Sequence, residues 1–167
     1  KTKDFVSGNT PWAQGGIVYK GTDDSAQKLK QDIIKAGAGH CWEEAVDHLC
    51  KHGPHLVKEI LIDTLNTEFD RDEKNYKRVY EGAHSEPRII YKADQTGKSI
   101  YQSALRYLQS LNNVEILTNH IAIDLLTFSH HSTVSTDIYK KPACFGAMVL
   151  DNNKNTVLAI LSSKTIL

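Results

Sequence analysis

Covalent cross-links are scarce in this sequence, which has only 3 cysteines, Cys41, Cys50 and Cys144, and no C-x-x-C pair. An odd, scattered set of thiols excludes a disulfide framework and a zinc knuckle, and fits reduced cysteines in a cytosolic setting. Long apolar runs are missing too. The longest, Val157 to Leu161, falls far short of the roughly 20 residues that a bilayer-spanning helix needs. Neither charge sign is in excess, since 20 Lys and Arg are matched by 20 Asp and Glu and the pI is near 7.2. Without a broad positive field, nucleic acid and anionic membrane surfaces are disfavoured as partners. The opening KTKDFVSGNTPW contains no apolar segment of the kind an export signal requires. What remains is 167 residues, 40% hydrophobic and 24% charged, with a mean hydropathy of -0.40. That profile predicts one water-soluble domain, long enough to bury about two-thirds of its extended surface.

Lys1 to Gly16 is rich in Gly, Asn, Thr and Pro and reads as a loop, followed by a short strand at Ile17 to Tyr19. Helical spacing of Ala26, Leu29, Ile33 and Ile34 predicts a helix capped by Asp23 or Asp24 and ended by Gly37 and Gly39. A second helix starts at Glu43 and Glu44 and stops at Gly53; a third runs from Pro54 to Leu65. Asn66 to Asn75 is a polar connection, and Tyr76 to Ser85 holds short strands. Ile100, Ala104, Leu105, Leu108 and Leu111 mark another helix, closed by Asn112-Asn113. Beyond it the composition turns to β, with strands at Val114 to Leu117, Ile121 to Phe128, Cys144 to Leu150 and Thr156 to Leu161. Ser129 to Pro142 is a surface excursion, and Asp151 to Asn155 is a hairpin loop. Helices first and a small, mostly antiparallel sheet last make an α+β fold. The parts are residues 1–22, a loop region, residues 23–111, mostly helical, and residues 112–167, rich in β structure, all within a single partial domain.

Glycine lets a phosphate or a flat ligand approach the backbone closely. Ala36-Gly37-Ala38-Gly39 follows a helix instead of a strand, so a helix terminator accounts for it best. Ala13-Gln14-Gly15-Gly16 is a better candidate, although on composition alone a plain turn accounts for it best. Glu81, His84, Ser85, Glu86, Arg88 and Asp94 form the densest polar cluster. Arg can grip a carboxylate by two parallel bonds and Glu can receive an ammonium, while a solvated loop with local ion pairs is the alternative. His48, His52 and His55 have metal-like spacing, but Gly53-Pro54 is expected to break the helix between them, and no metal is assigned. No G-x-S-x-G elbow is present, and no nucleophile is assigned.

The segments occur in a characteristic order: SGNTPWAQGGI (Ser7 to Ile17), AGAGHCWEEAV (Ala36 to Val46), HGP (His52 to Pro54), FDRD (Phe69 to Asp72), YEGAHSEPRIIYKADQTG (Tyr80 to Gly97), NNVEIL, IAIDLL and CFGAMVLDNN (Cys144 to Asn153). In that succession the chain resembles the L-aspartate oxidases, within the succinate dehydrogenase and fumarate reductase flavoprotein group. The resemblance implies FAD contact by Asn9, Thr10, Pro11, Trp12, Ala13, Gln14, Gly15 and Gly16, and by Lys3. It implies that Glu81 orients the substrate amino group, with His84 and Arg88 as its companions. Tyr80 and Ala83 depart from the family's R-E-G-G-H-S pattern, and Tyr91-Lys92-Ala93-Asp94-Gln95-Thr96-Gly97 departs from H-A-A-D-x-T-G at its first two positions.

The G-x-G-x-x-G turn of the first βαβ unit, which receives the FAD pyrophosphate in this family, does not occur in the sequence. The resemblance therefore implies an incomplete FAD-binding domain, an internal piece ending at SSKTIL before the capping domain. By itself it is expected to be inactive and not to retain FAD. The complete enzyme would oxidise L-aspartate to iminoaspartate with FAD in NAD biosynthesis, in the cytoplasm, with small dicarboxylates (aspartate, fumarate) as ligands. Nucleic acid and membrane are not expected as partners, whereas self-association through an unpaired sheet edge is. Two other functions fit the same scaffold: a fumarate reductase or succinate dehydrogenase flavoprotein segment, and a non-catalytic interaction module.

Overall fold

The structure, a computed structural model, describes residues 8–167. These fall into two compact units, residues 8–114 and residues 115–167.

In the first unit a 3-10 turn at Thr10–Trp12 leads into β1 (Ile17–Val18). Helix α1 (Ala26–Gly37) is capped by Ser25, whose side chain accepts a hydrogen bond from the Lys28 amide at 3.2 Å, and not by Asp23 or Asp24. Serine serves this position well, and it leaves Asp24 free for a buried partner. Helix α2 (Glu43–Leu56) runs on through Gly53 and Pro54 and continues as a π-helical segment, Val57–Thr64. The expected break at Gly53-Pro54 is therefore absent. Proline removes one donor from the ladder, but Val46 and Cys50 are buried against Leu29, and such tertiary burial outweighs local propensity. The Leu65 amide bonds to Ile60 O at 2.9 Å, in the wider π spacing.

The polar connection that follows folds into a hairpin of β2 (Arg71–Asp72) and β3 (Asn75–Tyr76). Strand β4 (Arg78–Val79) then pairs with β5 (Ile89–Ile90), which also pairs with β1, in the order β1-β5-β4. Every pairing is antiparallel, with Ile17 opposite Ile90 and Val18 opposite Ile89. Ile89 and Ile90 are buried. Helix α3 (Thr96–Ser110) closes the unit.

In the second unit, β6 (His120–Thr127), the single helical turn α4 (Phe128–His131), β7 (Cys144–Asp151) and β8 (Thr156–Leu161) follow. The strands form an antiparallel sheet in the order β6-β7-β8. Val114 to Leu117 is not a strand. Its branched residues suit one, but no strand among the described residues pairs with them, and propensity without a partner does not make a ladder. The α+β architecture is as the sequence predicts. No helix among the described residues is long and apolar enough to cross a membrane.

Candidate functional site

Two glycines hold the loop before β1 in place. A Cβ on Gly16 would collide with the Ile89 side chain and stand 2.7 Å from Ile90 O. At Gly97, a Cβ would run into Thr10 O and stand 2.8 Å from the Ala13 Cβ. Only glycine permits such approaches. The Gly97 amide then donates to Ala13 O at 2.9 Å, so the first turn of α3 presses directly on the loop. Trp12, Ala13, Gln14 and Gly15 stay exposed, Trp12 at 79%, as do Asn9 and Thr10, whereas Pro11 and Gly16 are half-buried. Lys3 lies outside the described residues.

Glu81 meets this loop from the other side of the sequence. Both of its carboxylate oxygens lie 3.7 Å from the place a Cβ would take on Gly15. The Glu81 backbone belongs to a turn in which the His84 amide donates to Glu81 O at 3.3 Å, with Gly82 at a φ of 54°. His84 is half-buried and shares with Gly16, Ile17 and Val18 the wall of a cavity of about 440 Å³. Glu81 is thus brought to Gly15, and His84 to the cavity that Gly16 lines.

Arg88 stands behind them, fully buried. Its Nε and Nη2 donate to the two oxygens of Asp24, both at 2.7 Å, in a bidentate fork. Its Nη1 donates to Asp32 Oδ2 at 2.5 Å and to His84 Nδ1 at 2.8 Å. Asp32 Oδ2 also accepts from the Ser85 amide and the Ser85 hydroxyl, each at 2.9 Å. Burial alone would raise the Asp32 pKa, but the bonds from Arg88 and Ser85 prevail and lower it to about 2. Asp24 is held below the usual carboxylate range by the same balance: burial opposes, and Arg88 with the Gly21 and Ser25 amides outweighs it. The Arg88 guanidinium, bonded first to Asp24 and then to Asp32, is held above its ordinary value. With these bonds Arg88 ties α1 to the 81–88 segment, and four of its five N-H donors are taken by protein groups.

Sequence reasoning passed over Asp32. The signal was present: Asp32 falls three residues after Leu29 and beside Ile33, on the apolar face of α1, where an acid needs a buried partner. The histidines of α2 also differ from expectation. Because the helix does not break, the His48 and His52 rings share a face with centroids 4.5 Å apart. Among the described residues, however, no group of three or more His, Cys, Asp or Glu is placed to hold a metal.

A side-chain-free strip at Gly15-Gly16, flanked by a carboxylate and an imidazole, can receive a flat ligand that carries a cationic group. The profile of the FAD binding domain matches residues 1–167. The chain belongs to the FAD binding domain family. An L-aspartate oxidase of Oryza sativa, described as chloroplastic, is 35% identical over 161 residues, covering 95% of this chain and 23% of that protein. The L-aspartate oxidase of Halobacterium salinarum is 39% identical over 127 residues, covering 76% of this chain and 24% of its own. The chain thus spans about a quarter of the length of these relatives. Among solved structures, a quinol-fumarate reductase with menaquinol molecules superposes with a TM-score of 0.80 at 16% identity, over 96% of this chain and 26% of its own. A chain of E. coli quinol fumarate reductase gives 0.76 at 18% identity, over 92% and 24%. At those identities the likeness shows a shared fold.

FAD is the cofactor of this FAD binding domain family, and the residues present suit it. Gly16 and Gly97 fix the loop by contacts that a Cβ would destroy, while the backbone at Gln14 and Gly15 stays open to a ring system.

Proposed function

We propose that this FAD binding domain segment belongs to an L-aspartate oxidase, and that it contributes the loop lining the flavin and the acid that receives the substrate ammonium. The observation that carries the reading is the Glu81 carboxylate beside Gly15. FAD, when bound, supplies the two-electron acceptor for hydride loss from the α carbon of L-aspartate, which leaves iminoaspartate. Gly15 and Gly16 give the ligand a backbone surface without side-chain obstruction. Glu81 accepts hydrogen bonds from the substrate ammonium and so aims the Cα-H bond, a contribution of orientation. Arg88 holds the 81–88 segment against α1 and does not itself touch substrate. Asn9, Thr10, Pro11, Trp12 and Ala13 continue the cofactor-facing surface, and Lys3 is proposed to join them. The same reading makes small dicarboxylates the ligands, places the reaction in NAD biosynthesis and sets it in the cytoplasm. The three free cysteines support a reducing compartment.

The test is steady-state kinetics of the complete enzyme carrying Glu81→Gln. Loss of a charge-assisted bond to ammonium is expected to raise the KM for L-aspartate by about tenfold or more, with a smaller effect on kcat. Unchanged kinetics would remove Glu81 from the site.

A further inference from the structure

The chain as a whole has no net charge, yet its fold gathers cations around one cavity. The cavity has a volume of about 380 Å³, which falls in the range common for small-molecule sites. Lys51, His55 and Lys58 line it from α2 and the π-helical segment that continues α2, and Lys20 lines it from the stretch after β1. Because the helix runs on through Gly53-Pro54, positions 51, 55 and 58 recur at helical spacing and share a face. A break there would have separated them.

The lining carries little negative charge to offset these groups. Its one carboxylate is Asp24, and both oxygens of Asp24 are forked onto Arg88 at 2.7 Å. Asp47, one turn before Lys51, is held by Lys30 at 2.8 Å. Lys58 is paired with Asp63 at 2.5 Å, and His55 lies 3.3 Å from Glu59. The ammonium groups of Lys20 and Lys51, by contrast, have no ion-pair or hydrogen-bond partner among the described residues. The backbone that carries Lys20 is fixed on both sides: the Tyr19 amide donates to Arg88 O at 2.8 Å, and Arg78 Nε donates to Lys20 O at 2.7 Å.

Lysine binds phosphate as a compact point charge, and a phosphate monoester brings two negative charges for two free ammonium groups. The hydroxyls of Tyr19 and Ser25 line the same cavity and can donate to further phosphate oxygens. Leu29, Cys50 and Pro54 give the lining an apolar part, suited to the body of an ester. None of the lining residues belongs to the loop of residues 9–16, and only Leu29 and Pro54 are shared with the cavity that Gly16 and His84 line.

We propose that this cavity is a second binding site, for a small phosphate monoester, in which Lys20 and Lys51 hold the phosphate and Leu29, Cys50 and Pro54 receive the apolar body. The site stands apart from the flavin strip and does not depend on the flavin reading.

The probe is phenyl phosphate, titrated into the nitrogen-15-labelled chain and followed by amide shifts. Saturable shifts are expected at Lys20, Lys51 and Leu29. Lys20→Gln combined with Lys51→Gln is expected to weaken binding about tenfold or more, since both charges that meet the phosphate are gone. Lys35→Gln combined with Lys74→Gln removes the same charge from exposed lysines outside the cavity, and binding is expected to stay within about twofold of the wild type. An amide spectrum that otherwise keeps its dispersion shows each variant to be folded. Benzoate, which keeps the ring but carries a single charge, is expected to bind about fivefold more weakly or worse. Shifts that do not saturate, or an equal loss in the two double variants, would reduce the site to general charge attraction and overturn the proposal. Benzoate binding as tightly as phenyl phosphate would make the cavity an apolar cleft and overturn it as well. The titration contains neither flavin nor aspartate, so its failure leaves the flavin-site reading standing, and failure of the Glu81→Gln test leaves this site untouched.

Discussion

Arg88 and Asp32 show how one buried charge constrains its neighbours. A guanidinium taken fully out of water is tolerable only when its partners are charged and well placed, and removing one side of such a pair commonly costs about 3–5 kcal/mol. The pH dependence follows from Asp32. Its folded pKa, about 2, lies below the ordinary value of 3.8, so the stability it contributes is complete above pH 3.8 and is lost as pH falls toward 2. Asp24, lowered as well, adds to the same window. Acid titration of folding, followed by circular dichroism, is expected to steepen between pH 4 and 2, and Asp32→Asn to flatten that slope; an identical slope would deny the linkage. Thr67 is the opposite case. Its Oγ1 is buried with no hydrogen-bond partner among the described residues. Thr67→Val keeps the shape and removes an unsatisfied group, so a gain of about 1 kcal/mol is expected in urea unfolding, and a loss would reveal a partner for the hydroxyl. Of these residues, Glu81 and His84 were legible from their cluster, but Asp24 was assigned to a helix cap that Ser25 provides. Arg88 lies 64 positions from Asp24, and local sequence carries no sign of that pairing.

Among the elements, α3 matters most to the site because its first turn is a wall of the loop. Alanine ordinarily improves a helix over glycine by about 0.5–1 kcal/mol. At Gly97 the order is expected to reverse. The added Cβ meets Thr10 O and Ala13, and overpacking of this kind costs about 1–3 kcal/mol. Thermal unfolding of Gly97→Ala should show a lowered Tm; a raised one would mean that the loop gives way freely. Helix α2 teaches a different lesson about legibility. Glycine followed by proline is a sound stop signal, and the helix ignores it because the turns before it are held by burial. Val46 and Cys50 anchor them, and the π spacing after Leu56 absorbs the irregularity. Turn chemistry is local, whereas the burial that overrules it is not.

At the scale of the molecule, β8 stands out as exposed along its whole length. It is an outer strand of its sheet, and its side chains are exposed on both faces: Val157 at 52% and Leu161 at 75% on one, Leu158 at 39% and Ile160 at 36% on the other. A strand apolar on both faces is the pattern of a covered sheet, and an outer strand also presents unpaired backbone groups. We propose that a second copy of the chain can cover it. Sedimentation velocity is expected to show association that grows with concentration, and Val157→Lys with Leu161→Lys to abolish it; a monomer throughout the accessible range would dispose of the idea.

The sequence by itself determined the order of the elements, the periodic face of α1, the hairpin at Asp151 to Asn155 and the cluster around Glu81, because periodicity, turn residues and local charge act over a few positions. Tertiary structure alone decided that Asp24 and Asp32 hold Arg88, and that Glu81 stands beside Gly15. Each of these joins groups far apart in the chain, and a buried charge or a glycine contact has its meaning only from the atom that packing places against it.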